Sequence, residues 1–162
     1  MSAPIALYPR RATSLLDPRN NADAFEIRLL SRAGDISDAL RLRQRAYAEH
    51  GLVPQIPDAE YRDLFDDLPS TALLGGYDGG RLVATMRLCF SLAGDPIATL
   101  PCEPYYPALK PLKLAAPKGL VEVSRLAIEP GIGNTSYRAT LYGFMVRSAF
   151  AGARAADVST IV

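Results

Sequence analysis

The stretch "LVEVSRLAIEPGIGNTSYRATLYGFM", Leu120–Met145, joins an apolar run to a helical pattern through two glycines. Its first part, Leu120–Ile128, is rich in valine, leucine and isoleucine and predicts a strand. The same run carries Glu122 and Arg125, two opposite charges that a plain core strand does not need. A substrate site would give both charges a purpose.

The positions of these two charges leave two interpretations open. Side chains alternate faces in a regular strand, so Glu122 and Arg125, three residues apart, point to opposite faces. A β-bulge between them would realign one side chain and leave a backbone N–H outside the ladder, where it could polarise a carbonyl oxygen in acyl transfer. The alternative is a strand next to a sheet edge whose two charges each meet a partner on another element.

The segment after this strand has the features of an anion site. The predicted helix runs to about Ala151 and can be capped by any of three residues, Asn134, Thr135 or Ser136. Gly131 and Gly133 allow the backbone to approach a ligand closely, and the helix N-terminus offers free N–H groups. Arg138 lies near the first turn, where a cation is disfavoured unless an anion is bound; alternatively it points to solvent or pairs with an acid.

Working outward, the pattern predicts four more strands and one more helix. The strands are Phe25–Leu30, Thr71–Tyr77, Arg81–Phe90 and Asp157–Val162, and the helix runs from a cap at Asp35 or Ser37 to about His50. The sequence "DGG" between the second and third strands is a good hairpin turn. The order β-α-β-β-β-α-β indicates an α/β (α+β) fold, a mixed central sheet flanked by helices.

Three segments lack a regular pattern. Residues 1–24 carry three prolines and are predicted to be a flexible N-terminal arm, so that the single domain spans residues 25–162. Gly51–Pro69 is an acidic loop or short helix. Ser91–Gly119 contains six of the 13 prolines and predicts a long irregular insertion, of the kind that often covers a functional site.

Composition excludes several classes of protein. A formal net charge of +1 over 162 residues gives no basic face for nucleic acid, and no apolar run is long enough to span a membrane. Two cysteines and one histidine are too few for a structural zinc site, so no metal is expected. We expect a cytoplasmic protein, since no signal peptide is evident.

Four motifs, taken in order, resemble one branch of the GNAT-fold acyltransferases. They are "RQRAY" (Arg43–Tyr47), "DLFDD" (Asp63–Asp67), "GRLVATMRL" (Gly80–Leu88, with Arg87) and "EVSR" (Glu122–Arg125). Together with the glycine loop and helix, they are similar to the motifs of the N-acyl amino acid synthases and the acyl-homoserine-lactone (autoinducer) synthases. The resemblance covers roughly residues 25–162.

The resemblance implies a role for each motif. An acyl-phosphopantetheine thioester, from acyl carrier protein or CoA, would lie beside the Glu122–Arg125 strand as co-substrate, with no tightly bound cofactor. Its arm would be bound along Leu126 and Ile128, and its phosphate by Gly131, Gly133, Asn134 and Arg138. The acceptor pocket would be formed by Arg43, Tyr47, Asp63, Asp66 and Arg87. Glu122 would be the general base, with Ser124 and Arg125 beside it.

The expected function is therefore transfer of a fatty acyl group to the amine of an amino acid. An autoinducer synthase is a second possibility, but its S-adenosylmethionine site uses a tryptophan and this chain has none. A third is a non-catalytic, truncated thioester-binding module, because the resembled family continues past the strand at which this sequence ends. The alternative to truncation is that the open C-terminal edge pairs with another subunit in a homo-oligomer.

Overall fold

The computed structural model describes residues 25–92, 99–158 and 160–162. It contains five strands and three helices. The strands are β1 (Phe25–Leu30), β2 (Thr71–Asp78), β3 (Arg81–Ser91), β4 (Leu120–Ile128) and β5 (Thr160–Ile161). The helices are α1 (Ala33–Glu49), α2 (Leu109–Ala115) and α3 (Thr135–Ala155). The predicted α/β class and mixed sheet are confirmed.

The five strands form one sheet in the order β1-β2-β3-β4-β5. The pairs β1–β2, β2–β3 and β3–β4 are antiparallel, whereas the pair β4–β5 is parallel. Helix α3 provides the crossover that a parallel pair requires. The contact between β4 and β5 runs from Leu120 to Val123, whose N–H donates to the carbonyl of Val162 at 3.1 Å.

The two faces of the sheet carry different helices. On one face α3 buries Leu141, Met145 and Ala149 against the apolar side chains of β3 and β4, and this is the main core. On the other face α1 packs smaller groups of side chains, in which Leu42 and Ala46 meet Ala127 of β4. The α1 face also carries buried charged residues, and the candidate site lies there.

Several details correct the sequence-based predictions. Helix α1 begins at Ala33 with Arg32 at the cap position and no side-chain cap, so neither Asp35 nor Ser37 is the cap; Asp35 lies in the first turn. There its negative charge interacts favourably with the positive N-terminal end of the helix dipole. Helix α3 continues to Ala155, one turn beyond the predicted end.

Two predictions of irregular or extended structure were also inaccurate. The proline-rich insertion contains the short helix α2, which begins two residues after Pro107 and tolerates Pro111 within its first turn. The last strand is limited to Thr160–Ile161. Asp157, which was predicted to begin it, instead adopts a left-handed conformation just after the end of α3. The predicted arm at residues 1–24 lies outside the described residues. Within the described part of the chain, none of the helices is both long and apolar enough to cross a bilayer.

Candidate active site

Strand β4 contains a β-bulge at Arg125. In its register with β3, Ser124 pairs with Arg87 and Ala127 pairs with Thr85, so that Arg125 and Leu126 together face one residue. Arg125 has a φ of 55°, in the left-handed region that side chains other than glycine seldom adopt. The bulge is therefore a specific feature of this strand and not a regular continuation of it.

The bulge changes which side chains share a face. Before it, Glu122 and Ser124 lie on the α1 face; after it, Arg125 lies on that face too, instead of opposite Glu122 as in a regular strand. Leu126 and Ile128 are correspondingly turned into the main core beneath α3. Any contact of these two residues with a pantetheine arm would thus be made by their backbone.

Five charged residues from four parts of the chain meet on the α1 face, and we call them the charged cluster: Arg43, Asp63, Asp66, Arg87 and Arg125. The Nη1 atom of Arg43 lies 2.9 Å from both carboxylate oxygens of Asp66. Arg87 donates to Asp63 at 2.6 Å and to Asp66 at 3.3 Å. Arg125 completes the cluster with two hydrogen bonds to Asp63, at 2.8 and 3.1 Å.

The cluster has a buried end and an open end. The side chains of Arg43 and Arg87 are fully buried and that of Asp66 is 1% exposed, whereas Asp63 is 22% and Arg125 33% exposed. Burial works to raise the pKa of Asp63, but hydrogen bonds from Arg87 and Arg125 outweigh it and hold that pKa below its ordinary value. A substrate would reach the cluster at the Asp63–Arg125 end.

Three arginines share two carboxylates in this cluster, which leaves one formal positive charge in excess. Three buried guanidinium nitrogens, Nε and Nη2 of Arg43 and Nη2 of Arg87, have no hydrogen-bond partner among the described residues. The cluster therefore attracts anions and not cations. No group of three or more histidine, cysteine, aspartate or glutamate side chains in the described residues is arranged to hold a metal ion.

Aromatic rings border the open end of the cluster. The rings of Tyr47 and Tyr61 meet edge to face with their centroids 5.1 Å apart, and the guanidinium of Arg125 lies 5.4 Å from the centre of the Tyr61 ring. Tyr47 was predicted to be a substrate-binding residue, whereas Tyr61 was not. The acidic loop that holds Tyr61 has no periodicity, so nothing in the pattern predicted that this ring faces the site.

Glu122 lies on the same face but has a separate set of contacts. Its carboxylate is buried and accepts a hydrogen bond from the backbone N–H of Cys102 at 2.7 Å. Burial and the neighbouring Glu122 carboxylate raise the pKa of the Cys102 thiol to about 12, so this thiol is protonated at neutral pH. The contact between Cys102 and Glu122 was not predicted, because Cys102 lies in the proline-rich segment, whose sequence has no regular pattern.

The turn between β4 and α3 is built by glycines and a cap. Gly131 and Gly133 have φ values of 66° and 59°, and a Cβ atom on Gly133 would lie 2.4 Å from the Tyr137 ring. The side chain of Asn134 accepts from the N–H of Tyr137 at 3.0 Å, so Asn134 is the predicted cap. Arg138 donates to the carbonyl of Glu129 at 3.4 Å, instead of pairing with an acid.

The structure therefore divides the predicted site residues into three groups. Ser124 lies beside the charged cluster, where Arg87 donates to its hydroxyl at 3.4 Å. Glu122 lies farther back along β4, and the glycine turn lies beyond the other end of the strand. The roles assigned to these residues stay predictions.

Comparison with known proteins identifies the family. The family model described as N-acyl amino acid synthase FeeM matches residues 38–162, more than three quarters of the chain. Among curated proteins, none matches this chain.

Solved structures share the fold at low sequence identity. FeeM, an N-acyl amino acid synthase from uncultured soil microbes, is 20% identical with a TM-score of 0.56, and the match covers 79% of this chain and 66% of FeeM. The AHL synthase LasI is 17% identical with a TM-score of 0.53, covering 85% of this chain and 70% of LasI. A predicted acetyltransferase with acetyl-CoA from Clostridium acetobutylicum is 13% identical with a TM-score of 0.51, covering 85% and 79%.

Proposed function

The chain belongs to the FeeM family of N-acyl amino acid synthases, and we propose on that basis that it is an N-acyltransferase that joins a fatty acyl group to the amine of an amino acid. The acyl donor is a phosphopantetheine thioester, carried by acyl carrier protein or CoA. The observation that supports this function best is the bulge at Arg125. It brings Arg125 onto the face of β4 that carries Glu122 and Ser124, so that one face holds both the carboxylate and the open end of the charged cluster.

The reaction needs a base, an aligned amine and a stabilised oxyanion. Glu122 takes one proton from the acceptor's ammonium group, directly or through a water molecule. The free amine attacks the thioester carbonyl, and a backbone N–H of the bulge donates to the oxygen as it becomes negative. Collapse of the intermediate breaks the C–S bond, and the departing thiolate takes up the second proton of the attacking nitrogen, which leaves a neutral amide and a free thiol.

The cluster supports an acceptor with a carboxylate. Its excess positive charge and the exposed edge of Arg125 favour an anionic group at the Asp63–Arg125 end. The rings of Tyr47 and Tyr61 beside Arg125 offer an apolar surface to the acceptor side chain. A free amino acid presents both an amine and a carboxylate, which fits this arrangement.

The glycine turn supports a phosphate at the start of α3. Gly131 and Gly133 have no side chains of their own to cover the backbone at this point. The helix dipole favours negative charge there. Arg138, one turn into the helix, adds a positive charge near the same end. The pantetheine arm would then lie along the backbone of Leu126–Ile128, between the bulge and the turn.

The test is release of free thiol from a long-chain acyl carrier protein and from the matching acyl-CoA, with and without a mixture of amino acids. We expect release that depends on the amino acids and an N-acyl product identified by mass spectrometry. Replacing the mixture with S-adenosylmethionine distinguishes an autoinducer synthase. A folded chain that releases no thiol from either donor would contradict the proposed function.

Glu122→Gln tests the base. Turnover should fall by about 10² to 10⁴ because the amide cannot accept the proton, whereas the Kd for the acyl thioester should change little. Glu49→Gln, an exposed carboxylate on α1, is the matched control and should leave turnover unchanged. Wild-type turnover by Glu122→Gln would exclude Glu122 as the base.

A further inference from the structure

The proline-rich segment between β3 and β4 forms an ordered turn over Glu122. Leu100 is fully buried and packs with Cys89, Ala116 and Leu120. Its carbonyl accepts from the N–H of Glu103 at 3.1 Å, which closes the turn. This turn presents the backbone N–H of Cys102 to the carboxylate of Glu122 at 2.7 Å.

A single carboxylate fixes the turn to helix α2. One oxygen of Glu103 accepts from the N–H of Leu100 at 2.9 Å and from the ammonium of Lys113 at 3.0 Å. The side chains of Glu103 and Lys113 are 12% and 13% exposed, so the ion pair is largely shielded from water. A shielded pair with a shared hydrogen bond restricts the turn more than a surface pair does.

We propose that the turn Leu100–Glu103 holds the Glu122 carboxylate in place for acyl transfer, and that Glu103 and Lys113 are positioning residues for this reaction. The proposal rests on the proposed function, in which Glu122 is the base. A general base must be held within hydrogen-bonding reach of the proton that it removes. The Cys102 N–H restricts the rotation of the carboxylate and so holds it in one orientation.

Other groups around Glu122 do not replace this contact. Cys89 faces it from β3, and the thiol of Cys102 from the turn; burial raises the pKa of both thiols, so both are neutral. Arg87 and Asp63 lie toward the bulge and are hydrogen-bonded to each other at 2.6 Å. Among the described residues, no arginine, lysine or histidine forms an ion pair with Glu122.

The test combines activity with hydrogen exchange. Glu103→Ala removes the acceptor that ties Leu100 to Lys113, and kcat should fall about tenfold while the KM for the thioester changes little, because loss of alignment acts on the chemical step. Glu103→Gln, whose amide oxygen can still accept both bonds, should restore most of the activity.

A matched control comes from the same segment. Lys118→Met removes an ion pair with Asp157 in which the two side chains are 53% and 79% exposed. This variant should leave kcat unchanged. Exchange of the Cys102 amide, followed by NMR, reports on the turn without reference to activity. It should be slow in the wild type and in Lys118→Met, and at least about tenfold faster in Glu103→Ala.

The outcomes separate the two proposals. Faster exchange in Glu103→Ala together with lower kcat supports the positioning role. Faster exchange with an unchanged kcat would overturn it, as would unchanged exchange. A wild-type chain without turnover on either thioester contradicts the proposed function, and the exchange of the Cys102 amide in Glu122→Ala, which has no acceptor at this position, still decides whether the turn holds this carboxylate.

Discussion

The charged cluster and the glycine turn lie at opposite ends of the bulged half of β4 and are built in contrasting ways. The cluster combines side chains from α1, the acidic loop, β3 and β4, which form ion pairs with one another. The turn uses backbone conformation over four consecutive residues, Gly131–Asn134. One region thus depends on distant parts of the chain, and the other on local sequence.

The difference shows how the two regions can contribute to a site. Arg43, Asp66 and Arg87 are buried and paired, so they support the fold and orient their neighbours. Asp63 and Arg125 extend from that buried group to the surface, where a substrate can meet them. The turn, Gly131–Asn134, contributes backbone groups at the protein surface and contains no charged residue of its own.

The largest expected effect is from Asp66→Asn, which breaks the cluster at its centre. The free energy of unfolding, measured in urea, should fall by about 3 to 5 kcal/mol because Arg43 and Arg87 lose a buried partner. Asp67→Asn is the matched control: Asp67 is 62% exposed and pairs with Arg62 at the surface, so the cost should be about 0 to 1 kcal/mol. Equal losses in the two variants would mean that burial of the cluster does not matter.

Gly133→Ala should break the turn. The left-handed conformation costs an alanine about 1 to 2 kcal/mol, and its Cβ would also collide with the Tyr137 ring. Gly131→Ala has the conformational cost alone, since nothing lies within 4 Å of its Cβ position. We expect Gly133→Ala to unfold at a lower urea concentration and to bind acyl thioester more weakly than Gly131→Ala; the reverse order would contradict this account of the turn.

Arg125 allows the bulge to be separated from its side chain. Arg125→Gly keeps a residue that adopts positive φ readily, whereas valine should cost about 1 to 3 kcal/mol there. If the backbone N–H of the bulge stabilises the oxyanion, Arg125→Val should lower kcat more than Arg125→Gly does. Equal kcat values in the two variants would assign the effect of residue 125 to the guanidinium alone.

The smallest effect concerns acid stability. The folded pKa of Asp63 lies below its unfolded value of about 3.9, so its stabilising contribution is complete above that pH and is lost as the pH falls through the folded pKa. The difference in unfolding free energy between wild type and Asp63→Asn should therefore shrink below about pH 4. Asp58→Asn, which removes one negative charge from an exposed position of the same loop, is the matched control. An equal change with pH in the two variants would contradict the role of the Arg87 and Arg125 contacts.

Much of the fold could be predicted because short-range patterns determine it. Alternating residues in β1 and apolar runs in β2–β4 predicted these strands to within one residue at each end, and "DGG" predicted the hairpin between β2 and β3. The short helix α2 was missed because prolines dominate its surroundings and its face buries no residue. One of its two lysines, Lys113, pairs with Glu103, and no periodicity of the sequence indicates this contact.

The candidate site was predictable in part. The resemblance of four motifs suggested which charges would meet, and Arg43, Asp63, Asp66 and Arg87 do lie in contact. The contact between Cys102 and Glu122 and the position of Tyr61 were not predicted. Both depend on how loops fold over the sheet, and loops carry no repeating pattern.

The sequence by itself determined the order of the strands and of the two long helices, three candidates for the cap of α3, and the family, because each depends on neighbouring residues or on the order of motifs. It left open whether Glu122 and Arg125 point apart or together. The tertiary structure decided this, since the bulge depends on pairing with β3 and on the ion pair that Arg125 forms with Asp63, 62 residues away. A conformation that is unfavourable for an isolated arginine is stable when cross-strand hydrogen bonds and a part-buried carboxylate hold it.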